Sequence, residues 1–118
     1  MVMVGHIAVP EITGALTPAT LSRQLVTEIL KEDLGFRGLV VTDAMNMGAI
    51  LKNRSCGEAT VEALAAGCDL ILMPENLEEA FTAVLTALEE GTLTQEWLDE
   101  TVKRILQFKI SHGIVVCD

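Results

Sequence analysis

Gly38-Leu39-Val40-Val41-Thr42-Asp43-Ala44-Met45-Asn46-Met47 runs from an apolar, β-prone segment straight into a carboxylate. A strand buried on both faces of a parallel sheet carries such a continuous apolar run, without polar alternation. In α/β folds, functional groups gather just past the carboxyl ends of those strands. Asp43 stands at that place. A plainer role, capping a turn or a following helix, is open to any Asp in this position.

Working outward, Val2 to Val9 reads as a second buried strand, ended by Pro10, with Glu11 to Leu16 as a loop. Thr17-Pro18 has the form of a helix start, with Thr as N-cap and Pro at the first helical position. Leu21, Leu25, Val26, Ile29 and Leu30 follow at helical spacing, and Gly35 closes that helix. Leu39 to Thr42 is the central strand. Gly57 to Ala66 predicts a short Ala-rich helix stopped by Gly67, and Asp69 to Met73 a third strand closed by Pro74. Asn76 and Glu79 frame a capping-box-like start for a helix whose stripe is Ala80, Phe81, Val84, Leu85 and Leu88. Gly91 ends it. Thr94 caps a last helix, with Trp97, Leu98, Val102, Ile105, Leu106 and Ile110 expected to face inward. Lys103, Arg104, Lys109 and His112 fall late in that helix, where they suit its dipole.

Strands alternating with helices predict an α/β fold with a parallel sheet and right-handed crossovers. The pattern by itself fits a piece of barrel wall or a small three-layer sandwich. No internal repeat or low-complexity segment interrupts it.

Composition narrows the function. Seventeen acidic and eight basic residues give a formal net charge of −9. Nucleic-acid and anionic-membrane partners need Lys/Arg clusters, which this chain lacks. No apolar run approaches the roughly 20 residues of a membrane helix. Half of the 118 residues are hydrophobic. A chain of this size buries only about two-thirds of its unfolded surface. That excess of apolar residues fits part of a larger core. Cys56, Cys68 and Cys117 form no Cys-x-x-Cys pair, so no zinc or redox site is indicated. Buried free thiols at Cys56 and Cys68 suit a reducing compartment, which slightly favours a cytoplasmic setting. No secretory leader is visible at Met1. Two His far apart, and carboxylates scattered along helices, assemble no metal site, and no cofactor is expected. Gly35-Phe36-Arg37-Gly38 precedes its strand, so it is not a phosphate loop. No nucleophile elbow is present.

Three blocks occur in order: Val2-Met3-Val4-Gly5-His6-Ile7-Ala8-Val9-Pro10, Gly35 to Met47, and Ala65-Ala66-Gly67-Cys68-Asp69-Leu70-Ile71-Leu72-Met73-Pro74. From Val2 to about Gly113 the chain resembles the family 3 glycoside hydrolases, on their β-N-acetylhexosaminidase side. The middle block is the specific one. The resemblance implies that residues 1–118 are a partial (β/α) barrel domain, the last three strand–helix units of a TIM-type barrel plus a terminal helix. It implies retaining hydrolysis of terminal β-linked N-acetylhexosamine, with Asp43 as nucleophile. His6 and Met45 are the implied sugar contacts, Met45 as an apolar wall. A satisfied structural role for His6, and a core role for Met45, are the plainer readings. The family's Lys-His and Arg sugar contacts, and its His/Asp acid/base loop, match nothing in this chain. The isolated chain is therefore expected to be inactive.

A different class of function is also consistent with the sequence. A three-stranded parallel sheet has two open edges, through which two copies could form a homodimer with no catalytic role. Asp69, at the amino end of the third strand, reads as structural. Arg54, Ser55 and Glu11 lie on the catalytic face without a geometry that commits them. Thr42 is expected to bond locally, Asn46 to sit in a turn, and Met47 to share the core or pocket-wall role of Met45.

Overall fold

A computed structural model describes residues 1–116 of the chain. The expectations for Cys117 fall outside the described residues. Three parallel strands, β1 (Val2–Val4), β2 (Val40–Ala44) and β3 (Leu70–Leu72), lie in the order β1-β2-β3. Val2, Met3 and Val4 pair with Val40, Val41 and Thr42. On the other side Val41 pairs with Leu70 and Ala44 with Leu72, with a register shift between them. Right-handed crossovers between successive neighbours place the connecting helices on one face, the arrangement of a barrel wall. A sandwich with helices on both faces is thereby excluded as the description of this sheet.

That covered face is where the core sits. Val40 (0% exposed), Leu21, Val26, Met45, Ile50, Ala59, Ala63 and Cys68 form one buried cluster, with Val4 and Ile71 packed against it. Alternation turns Met3 to the opposite face, where it is 55% exposed.

The elements around the sheet depart from their expected bounds in instructive ways. β1 stops at Val4, not Val9, because the chain bends at His6 and starts a short helix, α1 (Pro10–Thr13). Pro10 is the first residue of that helix, a position that needs no N–H. Thr17-Pro18 starts no long helix. Pro18 is extended and bridges to Ala8, and a 3₁₀ turn follows over Ala19–Leu21. The long helix begins at Gln24, and Ser22 Oγ accepts from the Leu25 N–H at its start. It runs to Asp33 as a π-helix, closing with Leu34 N–H to Ile29 C=O at 2.9 Å. Gly35 follows it with φ of 68°, as a closing glycine should.

After β2 come α2 (Gly48–Leu51), α3 (Cys56–Ala66), α4 (Leu77–Glu90) and α5 (Gln95–Ser111). α3 packs on α4 through small residues. A Cβ on Gly57 would come within 2.8 Å of the Ala83 Cβ. Asn76 and Thr94 cap α4 and α5 as expected. Glu79 does not complete the box at Asn76. Its carboxylate accepts from Gly57 N–H at 2.9 Å and ties α4 to α3. The stripes of α4 and α5 are only partly covered. Ala80 and Ala87 are buried, yet Phe81 is 63% exposed. In α5 the buried residue is Thr101, while Val102, Leu106 and Ile110 stay exposed. Those three therefore do not face inward within this chain.

Candidate functional site

The carboxyl end of β2 gathers the groups with chemical potential. Asp43 is the fourth residue of that strand and is half-buried. Its Oδ1 accepts from Ala44 N–H at 2.7 Å. The first amide after Asp43 thus supplies it a donor.

Side chains replace missing backbone partners around this strand. β1 has ended where Ala44 needs a donor for its carbonyl, and the His6 imidazole supplies it. His6 Nε2–H donates to Ala44 C=O at 2.9 Å. A carbonyl only accepts, which assigns the hydrogen to Nε2. The other ring nitrogen, Nδ1, meets Thr20 Oγ1 at 2.8 Å. Thr20 is fully buried, and its hydroxyl lies 2.9 Å from Gly5 C=O and 3.1 Å from Val4 C=O. On the far side, Leu72 N–H donates to Thr42 Oγ1 at 2.9 Å, across the register shift between β2 and β3. Thr42 therefore bonds 30 residues away, not locally. Met45 N–H then donates to Leu72 C=O at 2.9 Å.

The structure brings His6 to the carbonyl of Ala44, the residue after Asp43, with both ring nitrogens occupied within the chain. Met45 is 2% exposed and packed in the core, while Met47 is 44% exposed beyond it. Asn46 is exposed in the turn. Met73 follows β3 with φ of 47°, a left-handed conformation that a non-glycine residue rarely takes, and is 56% exposed. Sequence reasoning missed Thr20 and Met73. The Thr20 signal was masked by the expected helix start at Thr17-Pro18. Met73 carried no such signal, because the Pro that follows it favours extended backbone in the residue before it.

The opposite end of the sheet carries the aspartate expected to be structural. Asp69 Oδ2 accepts from Val40 N–H at 2.8 Å, and Lys31 Nζ stands 3.4 Å away. Arg104 also pairs with Asp69, and Lys31 Nζ donates to Gly67 C=O at 2.5 Å. Arg104 thus serves β2 and the π-helix and not only its own helix dipole. His112 stacks on Phe108 at the end of α5. Arg54 pairs with Glu62 in an exposed ion pair at 2.6 Å. Ser55 caps α3, its Oγ accepting from Glu58 N–H while Glu58 accepts from Ser55 N–H. Those backbone and side-chain bonds to Ser55 lower the Glu58 pKa, helped by Arg54. Burial pushes the Cys68 thiol up to about 12, which keeps it protonated and unreactive. Among the described residues no group of three or more His, Cys, Asp or Glu is placed to hold a metal ion. No helix among them is long and apolar enough to cross a membrane.

Residues 1–108 match the family model described as "Glycosyl hydrolase family 3 N terminal domain". The chain is 38% identical to a "Beta-N-acetylglucosaminidase/beta-glucosidase" of Cellulomonas fimi, over 96% of this chain and 22% of that protein. It is 32% identical to "Beta-hexosaminidase A" of Pseudoalteromonas piscicida, over 92% of this chain and 21% of that protein. It superposes on a glycoside hydrolase family 3 β-N-acetylglucosaminidase from Paenibacillus sp. str. FPU-7 with a TM-score of 0.91 and 36% identity. That match covers 98% of this chain and 23% of the Paenibacillus chain, so the chain spans less than a quarter of the length of these relatives. With the family model matched over nearly its whole length and three parallel β/α units that superpose on a solved member, the chain belongs to glycosyl hydrolase family 3.

Proposed function

We propose that this chain contributes the nucleophile to a retaining glycosidase acting on terminal β-linked N-acetylhexosamine. The observation that carries the reading is the placement of Asp43. It is a half-buried carboxylate at the carboxyl end of the central strand, anchored by one backbone N–H. The printed names of the relatives, β-N-acetylglucosaminidase and β-hexosaminidase, support the substrate class.

In this reading Asp43 attacks the anomeric carbon and the glycosidic oxygen leaves with a proton from a general acid. The glycosyl-aspartate is then hydrolysed by water that gives its proton to the same group. The general acid/base comes from outside this chain. His6 is engaged at both nitrogens, and the family's His/Asp acid/base loop matches nothing in this chain. Exposed Met47 supplies an apolar wall near the sugar, since Met45 is committed to the core. A nucleophile without its acid/base loses several orders of magnitude in rate, so the purified chain alone shows no measurable turnover.

The test is a hybrid enzyme in which residues 1–116 replace the matching segment of the Cellulomonas fimi protein. It should hydrolyse 4-nitrophenyl N-acetyl-β-D-glucosaminide. Asp43→Asn should lower kcat by about four orders of magnitude. A fluorinated slow substrate should leave its sugar mass on the peptide containing Asp43. Activity that survives Asp43→Asn, or a label on another peptide, would overturn the assignment.

A further inference from the structure

Two adjacent peptide units at the end of β2 are held in different ways. The Asp43–Ala44 peptide gives its N–H to the Asp43 carboxylate at 2.7 Å. The Ala44–Met45 peptide gives its C=O to His6 Nε2–H at 2.9 Å and its N–H to Leu72 C=O at 2.9 Å. The second unit is thus clamped between the chain that follows β1 and the end of β3. Ala44 joins the two units, so their relative rotation is set at this one residue. In a continuing parallel ladder the Ala44 carbonyl would meet a backbone N–H of the neighbouring strand. Paired residues end at Val4 and Thr42, so that donor is missing. The imidazole takes its place, and buried Thr20 fixes the ring from behind.

We propose that His6 is a positioning residue for Asp43, acting through the Ala44 backbone, and that it does not bind the sugar. The proposal rests on Asp43 as the nucleophile. With the Ala44–Met45 peptide released from His6, Ala44 as a whole is free to turn, and the preceding peptide can carry its N–H off the Asp43 carboxylate. The carboxylate would lose both its orientation and its donor. An ångström of misplacement of a reacting group is enough to cost about 100-fold in rate. A sugar-binding role would demand a free donor or acceptor on the ring, and both nitrogens are taken.

The first test uses the chain itself, labelled with ¹⁵N, and reads the imidazole tautomer from two- and three-bond ¹H–¹⁵N correlations. His6 should carry its hydrogen on Nε2. In His6→Phe the amide of Met45 should exchange with solvent at least ten-fold faster than in the parent, while that of Val26 in the core is unchanged. An Nδ1–H tautomer, or unaltered exchange at Met45, would overturn the clamp. The second test reads kinetics in the hybrid enzyme. His6→Phe should lower kcat about 100-fold with KM within about three-fold, and His6→Gln, which restores an N–H donor at a similar reach, should recover most of the loss. A raised KM at unchanged kcat would make His6 a sugar ligand and sink the proposal. The two readings fail separately. Activity that survives Asp43→Asn removes the nucleophile assignment while the tautomer still reports the clamp. Abolition by Asp43→Asn with full activity in His6→Phe removes the positioning role alone.

Discussion

Two aspartates, one in β2 and one just before β3, show how the same side chain meets opposite surroundings. Asp43, at the carboxyl end, is half-buried, and its Oδ1 accepts from one backbone N–H. Asp69, at the amino end, has a side chain only 1% exposed, and its oxygens are spent on Val40 N–H, Lys31 and Arg104. A buried charge is tolerated where partners surround it, and removing one member leaves the others uncompensated. Asp69→Ala should therefore destabilise the chain by about 3 kcal/mol, read as a lower urea midpoint at unchanged m-value. Asp69→Asn, which still accepts from Val40 N–H, should lose less. An Asp69→Ala midpoint equal to the parent's would show that the cluster contributes nothing to stability.

At the scale of elements, α3 shows a helix start that is complete in itself. Ser55 and Glu58 satisfy each other's backbone N–H groups, and Ser55→Ala should cost about 1 kcal/mol. Its pH dependence follows from the lowered pKa of Glu58. The carboxylate is favoured in the folded state, so its stabilisation is present above the ordinary value of about 4.5 and is lost as pH falls through the lowered one. Glu58→Gln should melt below the parent at pH 7, and the two curves should converge as the pH drops toward 3. A difference that stays constant over that range would refute the ionic share of the box. A cleft of about 570 Å³ opens beside this helix start, lined by Ser55, Gly57, Glu58, Asn76, Glu78 and Glu79 among others. Its amide donors at Gly57, Glu58 and Glu79 are already bonded to side chains.

The whole molecule is unevenly covered. β1 and β3 each have one strand edge unpaired within the described residues, and Met3 on the uncovered sheet face is 55% exposed. Phe81 and Leu85 on α4, and Val102, Leu106 and Ile110 on α5, add exposed apolar surface. Scattered apolar residues are ordinary on a protein surface, but open parallel edges are a template for further pairing. We expect the purified chain to self-associate at micromolar concentration. Sedimentation should give at least a dimer mass, and Met3→Lys should shift it toward monomer by placing a charge on the uncovered face. A parent chain that sediments as a monomer would count against pairing through the edges.

The apolar run into Asp43 and the glycines at 35, 67 and 91 told their positions in advance, because each depends on local chemistry. A strand buried on both faces must be apolar, and a helix that ends in a left-handed turn favours glycine. Caps at Asn76 and Thr94 were legible for the same reason, since the bonding partner lies three residues away. The sequence, read with its resemblance, also determined the family. What the tertiary structure decided are the bonds that span many residues. The end of β1 at Val4, the His6 bond to Ala44, the Thr42 bond to Leu72 and the burial of Met45 in preference to Met47 all depend on which segments meet. No local periodicity encodes that an imidazole will replace a backbone donor 38 residues away. Such partners are chosen by the packing of the strands, which fixes where a ladder stops and which polar atoms are left to be satisfied.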